Sequence, residues 1–170
     1  AVADTINILG GVDLEISDAE FKYINAFITE TVNSTGIGSH QLEHAGMNHL
    51  DGVQAVAYAR LRLMDTDYKR TEQRKVIGLS LDKAKNADYS TLANIIMTVM
   101  PEISTSVTPD DLIPFAHGIS KYYISETAGF PFDKQGQNVG KLDCVIPVTL
   151  ESNAIKLHEF LYPGVPYTPS

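Results

Sequence analysis

The four arginines of this 170-residue chain, Arg60, Arg62, Arg70 and Arg74, all fall within fifteen consecutive positions. The window from 60 to 75 carries six bases and three acids, a net of +3. The whole chain carries -8, so the remainder holds -11. A guanidinium is a planar fork of donors that matches a carboxylate or a phosphate in two-point contact. Asp65 and Asp67, the nearby carboxylates, are too few for four arginines. The balance calls for an anion from outside, and a helix start near Tyr68 would favour a phosphate group further.

The elements that carry these residues must aim them. At about 100° per residue, a helix over roughly 68–85 places Arg70, Arg74, Ile77, Leu81 and Ala84 on one stripe. Asp67 and Gln73 lie near that stripe, while Lys69, Glu72, Lys75, Asp82 and Lys83 fall opposite, with Leu79 the one apolar residue among them. Ile77 and Leu81 mark the stripe as core-facing, where an unpaired charge is very costly. Arg60-Leu61-Arg62-Leu63 alternates, so both arginines point one way if the chain is extended there, and diverge if it is helical. The preceding helix, 51–59, is therefore expected to end near Ala59, letting Arg60 and Arg62 converge on Arg70 and Arg74. The plain alternative for Asp67 and Arg70, three residues apart, is a solvated pair on a helix surface. No glycine-rich phosphate loop accompanies the arginines, so the pattern speaks for an anion site and not for a reaction.

Composition excludes several classes. Hydrophobic residues make up 44% and charged residues 20%, with mean hydropathy near zero, which is globular and not disordered, collagenous or coiled-coil. The acidic balance argues against a general nucleic-acid or anionic-membrane binder. A single Cys144 excludes an intrachain disulfide, and its setting Leu142-Asp143-Cys144-Val145-Ile146 reads as a buried strand without an activated thiolate. His40, His44 and His49, with Glu43 between them, sit in a glycine-bearing stretch, 33–49, that reads as a surface loop and lacks a zinc frame such as H-E-x-x-H. His117 and His158 are single residues on amphipathic segments.

The chain opens with a helix stopped by Gly10-Gly11, followed by a half-buried strand over Val12–Ile16. Residues 18–32 read as a short helix or an irregular segment with Phe21, Ile24, Phe27 and Ile28 inward. Helices follow the 68–85 segment at 89–100, with Ser90 as N-cap, and at 108–121, started by Thr108-Pro109-Asp110-Asp111. Strands are expected at 122–128 and 141–148, with a turn at 136–140 between them and a last helix at 151–161. Strands flanking a run of helices predict the α/β class, a layered α/β/α domain with a mixed sheet flanked by helices.

Three stretches carry a family resemblance. Gly10-Gly11-Val12, the run from Leu50-Asp51-Gly52 through Tyr58-Ala59-Arg60-Leu61-Arg62, and Asp67-Tyr68-Lys69-Arg70-Thr71 resemble the LytR-CpsA-Psr family. Its pattern there is roughly L-x-G-x-x-A-L-x-Y-A-R-x-R, followed by D-x-x-R-x-x-R-Q. The later order of elements, through Leu157-His158-Glu159-Phe160-Leu161, is similar as well. The resemblance implies an extracellular, membrane-anchored phosphotransferase of bacterial cell-wall assembly. Such an enzyme moves a teichoic acid or capsule-like glycopolymer from a polyprenyl-pyrophosphate carrier to peptidoglycan.

Carried over residue by residue, the resemblance implies that Arg60 and Arg62 grip the pyrophosphate and that Asp67 and Arg70 form the acid–base pair beside it. The family's R-x-x-R-Q stands here as Arg70-Thr71-Glu72-Gln73-Arg74, which leaves open whether Gln73 or Arg74 faces the ligand; the stripe geometry favours Arg74. A Mg²⁺ ion is implied as cofactor, with its aspartate ligands and a further arginine in an N-terminal half of the family's domain. The chain is accordingly expected to be the C-terminal part of such a domain over 1–162, with a proline-rich tail over 163–170 and the membrane anchor elsewhere in the parent protein. The resemblance also implies a long lipid pocket, which Leu92, Ile95, Ile96, Val99 and Met100 would line if they are not ordinary core. The runner-up is a module that binds polyprenyl phosphate or an anionic glycan without turnover. Nucleic-acid binding, suggested by the family's transcriptional-attenuator label, is disfavoured by the acidic surface and by the lack of interleaved aromatic residues beyond Tyr68.

Overall fold

The computed structural model of the protein describes residues 1–61 and 71–169 and divides into two compact units, 1–123 and 124–170. In the first, α1 (Val2–Ile8) stops where Gly10 and Gly11 take φ of 78° and 74°. A Cβ at Gly11 would stand 2.5 Å from the Leu50 carbonyl oxygen, so both the turn and the close approach need glycine here. Next, β1 (Val12–Ile16) buries Val12, Leu14 and Ile16 and exposes Asp13 and Glu15, the alternation read from the sequence. It pairs antiparallel with β2 (Gly46–Leu50), in register from Val12 opposite Leu50 to Ile16 opposite Gly46. The expected loop over 33–49 thus ends in a strand. Gly-Met-Asn-His-Leu has no apolar alternation of its own, and its extended state comes from the ladder with β1.

Residues 18–35 form a full helix, α2 (Asp18–Thr35), where a short or irregular segment was expected. Ser17 and Glu20 close a capping box at its start, and Gly36 at φ 71° ends it. Ile24, Ile28 and Thr31 form its buried stripe. Asp51 caps α3 (Gly52–Ala59) through the amide of Gln54, whose side chain returns to the Asp51 amide. A Cβ at Gly52 would collide with the carbonyl of Ala3, so α1 and α3 pack only because position 52 has no side chain.

Three further helices complete this unit: α4 (Thr71–Asn86), α5 (Tyr89–Val99) and α6 (Pro109–Gly118). On α4 the core-facing side is one residue away from the expected stripe. Val76 is 4% exposed and Leu79 packs on the core, whereas Ile77 is 53% exposed. The cause is a second contact: further along the helix, Leu81 and Ala84 turn toward α5 and α6, so two apolar faces were merged into one in the pattern. The N-cap of α5 is Asp88, which accepts from the Thr91 amide at 2.7 Å, and not Ser90. Thr108 and Asp111 box the start of α6 as their spacing predicts.

The second unit is a hairpin and a helix. β3 (Lys134–Val139) pairs antiparallel with β4 (Leu142–Pro147), and α7 (Leu150–Leu161) follows, capped by Thr149. The first strand of this pair was expected at 122–128, which is irregular chain following a short helical turn that ends at Lys121. Gly136 does not break β3 because it pairs opposite Val145; the tight turn instead uses Gly140, at φ 64°. The α/β class holds as a mixture of helices and small sheets, its described strands forming two antiparallel pairs. Among the described residues no helix is long and apolar enough to cross a membrane.

Candidate functional site

Arg60 is the C-cap of α3, so the helix ends where the alternation of Arg60 to Leu63 required. Leu61 is buried and the guanidinium turns back over α2. Its Nη1 donates to Thr31 Oγ1 at 2.9 Å, its Nη2 to Glu30 Oε2 at 3.0 Å, and its central carbon lies 5.6 Å from the centre of the Phe27 ring. Thr31 is buried and spends its own hydroxyl proton on the Phe27 carbonyl at 2.7 Å, which leaves its oxygen to accept from Arg60.

Tyr58, two residues earlier, fixes the same helix end. Its ring is buried and its hydroxyl donates to Glu20 Oε1 at 2.8 Å. Burial and that bond push the phenol well above its ordinary range. For Glu20, burial alone would raise the carboxyl, but hydrogen bonds from the Ser17 hydroxyl and amide and from Tyr58 outweigh it and hold the group below its usual value. Lys75 of α4 sits 5.8 Å from the centre of the Tyr58 ring, a cation–π contact.

Arg60 borders a cleft of about 520 Å³ whose walls are Val2, Phe27, Val56, Ala59, Val76 and Ile77. Among the described residues Gln73 is its other polar lining residue, so of Gln73 and Arg74 it is Gln73 that faces this space, while Arg74 is half-buried. Arg62, Asp67 and Arg70 lie outside the described residues. An almost wholly apolar cavity of about 360 Å³ lies further along α1 and α4, with Leu9 just beyond α1 and Leu81 and Ala84 of α4 facing Leu92, Ile95 and Ile96 of α5. On α1, Val2 lines the first cavity and Thr5 the second; on α4, Gln73 and Val76 line the first and Ser80 and Ala84 the second, so both helices contribute to both cavities through different residues. The first offers a cation and an amide beside apolar surface; the second offers apolar surface alone.

Among the described residues no three histidine, cysteine or carboxylate groups are placed together to hold a metal ion. His49 lies on β2, directly opposite Asp13, and its Nδ1 is 2.7 Å from the Asp13 carboxylate. That bond holds Asp13 below its ordinary pKa. Cys144 is half-buried in β4, and His158 stacks on Tyr167 with centres 4.5 Å apart. Sequence reasoning did not find Glu30 and Thr31. They stand about thirty residues before Arg60, and no local spacing links them to it.

The fold is similar to those of three crystal structures. TagV of B. subtilis shares 18% identity at a TM-score of 0.60, over 99% of this chain and 61% of that one. TagT of B. subtilis shares 18% at 0.57, over 94% and 55%. A protein of Enterococcus faecalis described as a transcriptional regulator shares 20% at 0.56, also over 94% and 55%. At such identities the likeness is one of fold, and the chain spans between 55% and 61% of the length of these structures. No curated protein matches the chain. The class is therefore a helix-rich domain with short sheets, shared with TagT and TagV. Within it the chain belongs to the LytR_cpsA_psr family, whose model matches residues 1–155.

Proposed function

We propose that this chain is the pyrophosphate-holding part of a cell-envelope glycopolymer transferase, one that moves a teichoic acid or capsule-like polymer from a polyprenyl-pyrophosphate carrier to peptidoglycan. The observation that carries the reading is the position of Arg60, a cation at the mouth of an apolar-walled cleft whose helices continue into a second, apolar cavity. A lipid-linked pyrophosphate has that division of character, a charged head on a hydrocarbon chain. Family membership supports the reaction class, and the fold shared with TagT and TagV agrees with it.

In the proposed step, an acceptor hydroxyl oxygen of peptidoglycan bonds to the phosphorus that carries the glycopolymer. The bond from that phosphorus to the bridging oxygen breaks, polyprenyl monophosphate leaves with the electron pair, and the hydroxyl proton passes to a base or to solvent. Phosphoryl transfer of this kind depends on positioning and on neutralising the non-bridging oxygens. Arg60 and Arg62 supply positive charge to them, Gln73 or Arg74 adds a donor, and Asp67 with Arg70 forms the acid–base pair beside them. Mg²⁺, the cofactor implied by the family, would add further charge neutralisation if bound there. The site works on the outer face of the membrane.

Arg60→Ala and Arg62→Ala test the reading in the full-length parent, with Mg²⁺ and a lipid-pyrophosphate substrate. Each is expected to abolish transfer while circular dichroism shows an intact fold. Unchanged transfer overturns the site, and unfolding makes the arginines structural. Substrate binding without turnover in the parent leaves a binding module in its place.

A further inference from the structure

Two of the five guanidinium donors of Arg60 are engaged in unequal ways. The Nη1 bond ends on Thr31, which is 1% exposed and fixed by its own bond to Phe27. The Nη2 bond ends on Glu30, whose side chain is 64% exposed and whose contact with Arg60 is an ion pair at the protein surface. Such a pair contributes little and is readily exchanged. The neutral acceptor is built in, and the charged one can swing into water.

We propose that Glu30 is an internal competitor of the anionic ligand: its carboxylate holds Arg60 until phosphate displaces it, while Thr31 keeps the guanidinium fixed at the cleft's edge. This rests on the reading of Arg60 as an anion-binding residue. Glu30 then sets affinity, because a phosphate that takes the Nη2 donor displaces the Arg60–Glu30 contact and dwells near a second negative charge. Pre-positioning by Thr31 spares part of the rotamer entropy that a long side chain loses on binding.

The test measures inorganic pyrophosphate binding to the 170-residue chain by calorimetry at low and high salt. Glu30→Gln, conservative and at an exposed position, is expected to tighten binding about two- to fivefold, the range for an exposed ion pair. Thr31→Val is expected to weaken binding by a similar factor, and Glu30→Gln placed on Arg60→Ala is expected to change nothing. Unchanged or weaker binding in Glu30→Gln, with Arg60→Ala still losing affinity, overturns the competitor role and leaves the anion site standing. Equal binding by the parent and Arg60→Ala, or no binding by the parent, overturns the anion site and this proposal with it. A melting temperature for each variant separates these outcomes from unfolding.

Discussion

Residues 1–123 and 124–170 are stabilised by different means. The first unit has an apolar core in which Val12, Leu14, Ile16, Ile24, Ile28, Leu50, Val53 and Tyr58 are all buried. Among the described residues of the second, the one buried side chain is polar: Asn153 accepts from the Asp133 amide at 2.9 Å and donates to the carbonyls of Asp133 and Thr149 at 2.9 and 2.7 Å. Close packing holds a site to fractions of an ångström, whereas a hydrogen-bonded hub with exposed apolar residues around it does so less well. Arg60 stands on the packed unit, between a capped helix and a buried threonine. The difference locates the precise geometry of this molecule near α2 and α3.

The largest expected effect probes that packing. Gly52→Ala puts a methyl group into the carbonyl of Ala3 and forces α1 away from α3. A loss of about 3 kcal/mol is expected, at the upper end for overpacking. It is read from the midpoint of urea unfolding, and a loss below about 1 kcal/mol would show the two helices free to separate. Asn153→Ala asks the same of the other unit. Removing the hub leaves the half-buried Asp133 amide without its partner, which costs about 2 kcal/mol, and the exchange of that amide should quicken in hydrogen-exchange measurements. An unchanged exchange rate would mean that the hub is not what orders the hairpin.

The contrast between the units also sorts what the sequence could reveal. Local chemistry was legible: the alternation of Val12–Ile16, the helix start at Thr108, the end of α3 at Ala59 and the concentration of arginine. Pairing was less so. β2 reads as loop because Met47, Asn48 and His49 have no strand pattern of their own, and β3 because Lys134 to Asn138 is polar on both faces. The error on α4 has a separate cause, since a helix buried on two sides has no single stripe for Ile77 to belong to. At the site, Arg60 was visible as a motif residue. Its partners on α2 were not, because charge complementarity across about thirty residues leaves no mark on periodicity.

A finer probe sits between packing and charge. Tyr58→Phe keeps the buried ring and removes the bond to Glu20, at an expected cost of about 1 kcal/mol near neutral pH. Its pH dependence has a definite sign. The folded state holds the Glu20 carboxyl below its ordinary value of 4.5, so the stability this group contributes is present above that value. It is lost as pH falls through the lower folded pKa. Loss of the Tyr58 bond lets the carboxyl rise back toward 4.5. The parent therefore exceeds the variant at pH 7, and the gap should close on acidification in paired urea titrations. A gap that widens in acid would assign the stabilisation to a protonated carboxyl.

The smallest expected effect returns to the second unit. Leu142 opens β4 and is 69% exposed, so its side chain gives up little contact with water on folding. Leu142→Ala should shift stability by less than about 0.5 kcal/mol, as surface substitutions do, against about 3 kcal/mol for a buried leucine such as Leu14. Thermal unfolding of the two variants side by side measures the ratio directly. Comparable losses would mean that Leu142 is covered in solution, and the second unit would then have an apolar core after all. A negligible loss at Leu142 beside a large one at Leu14 leaves the polar hub at Asn153 as the organiser of the hairpin and α7.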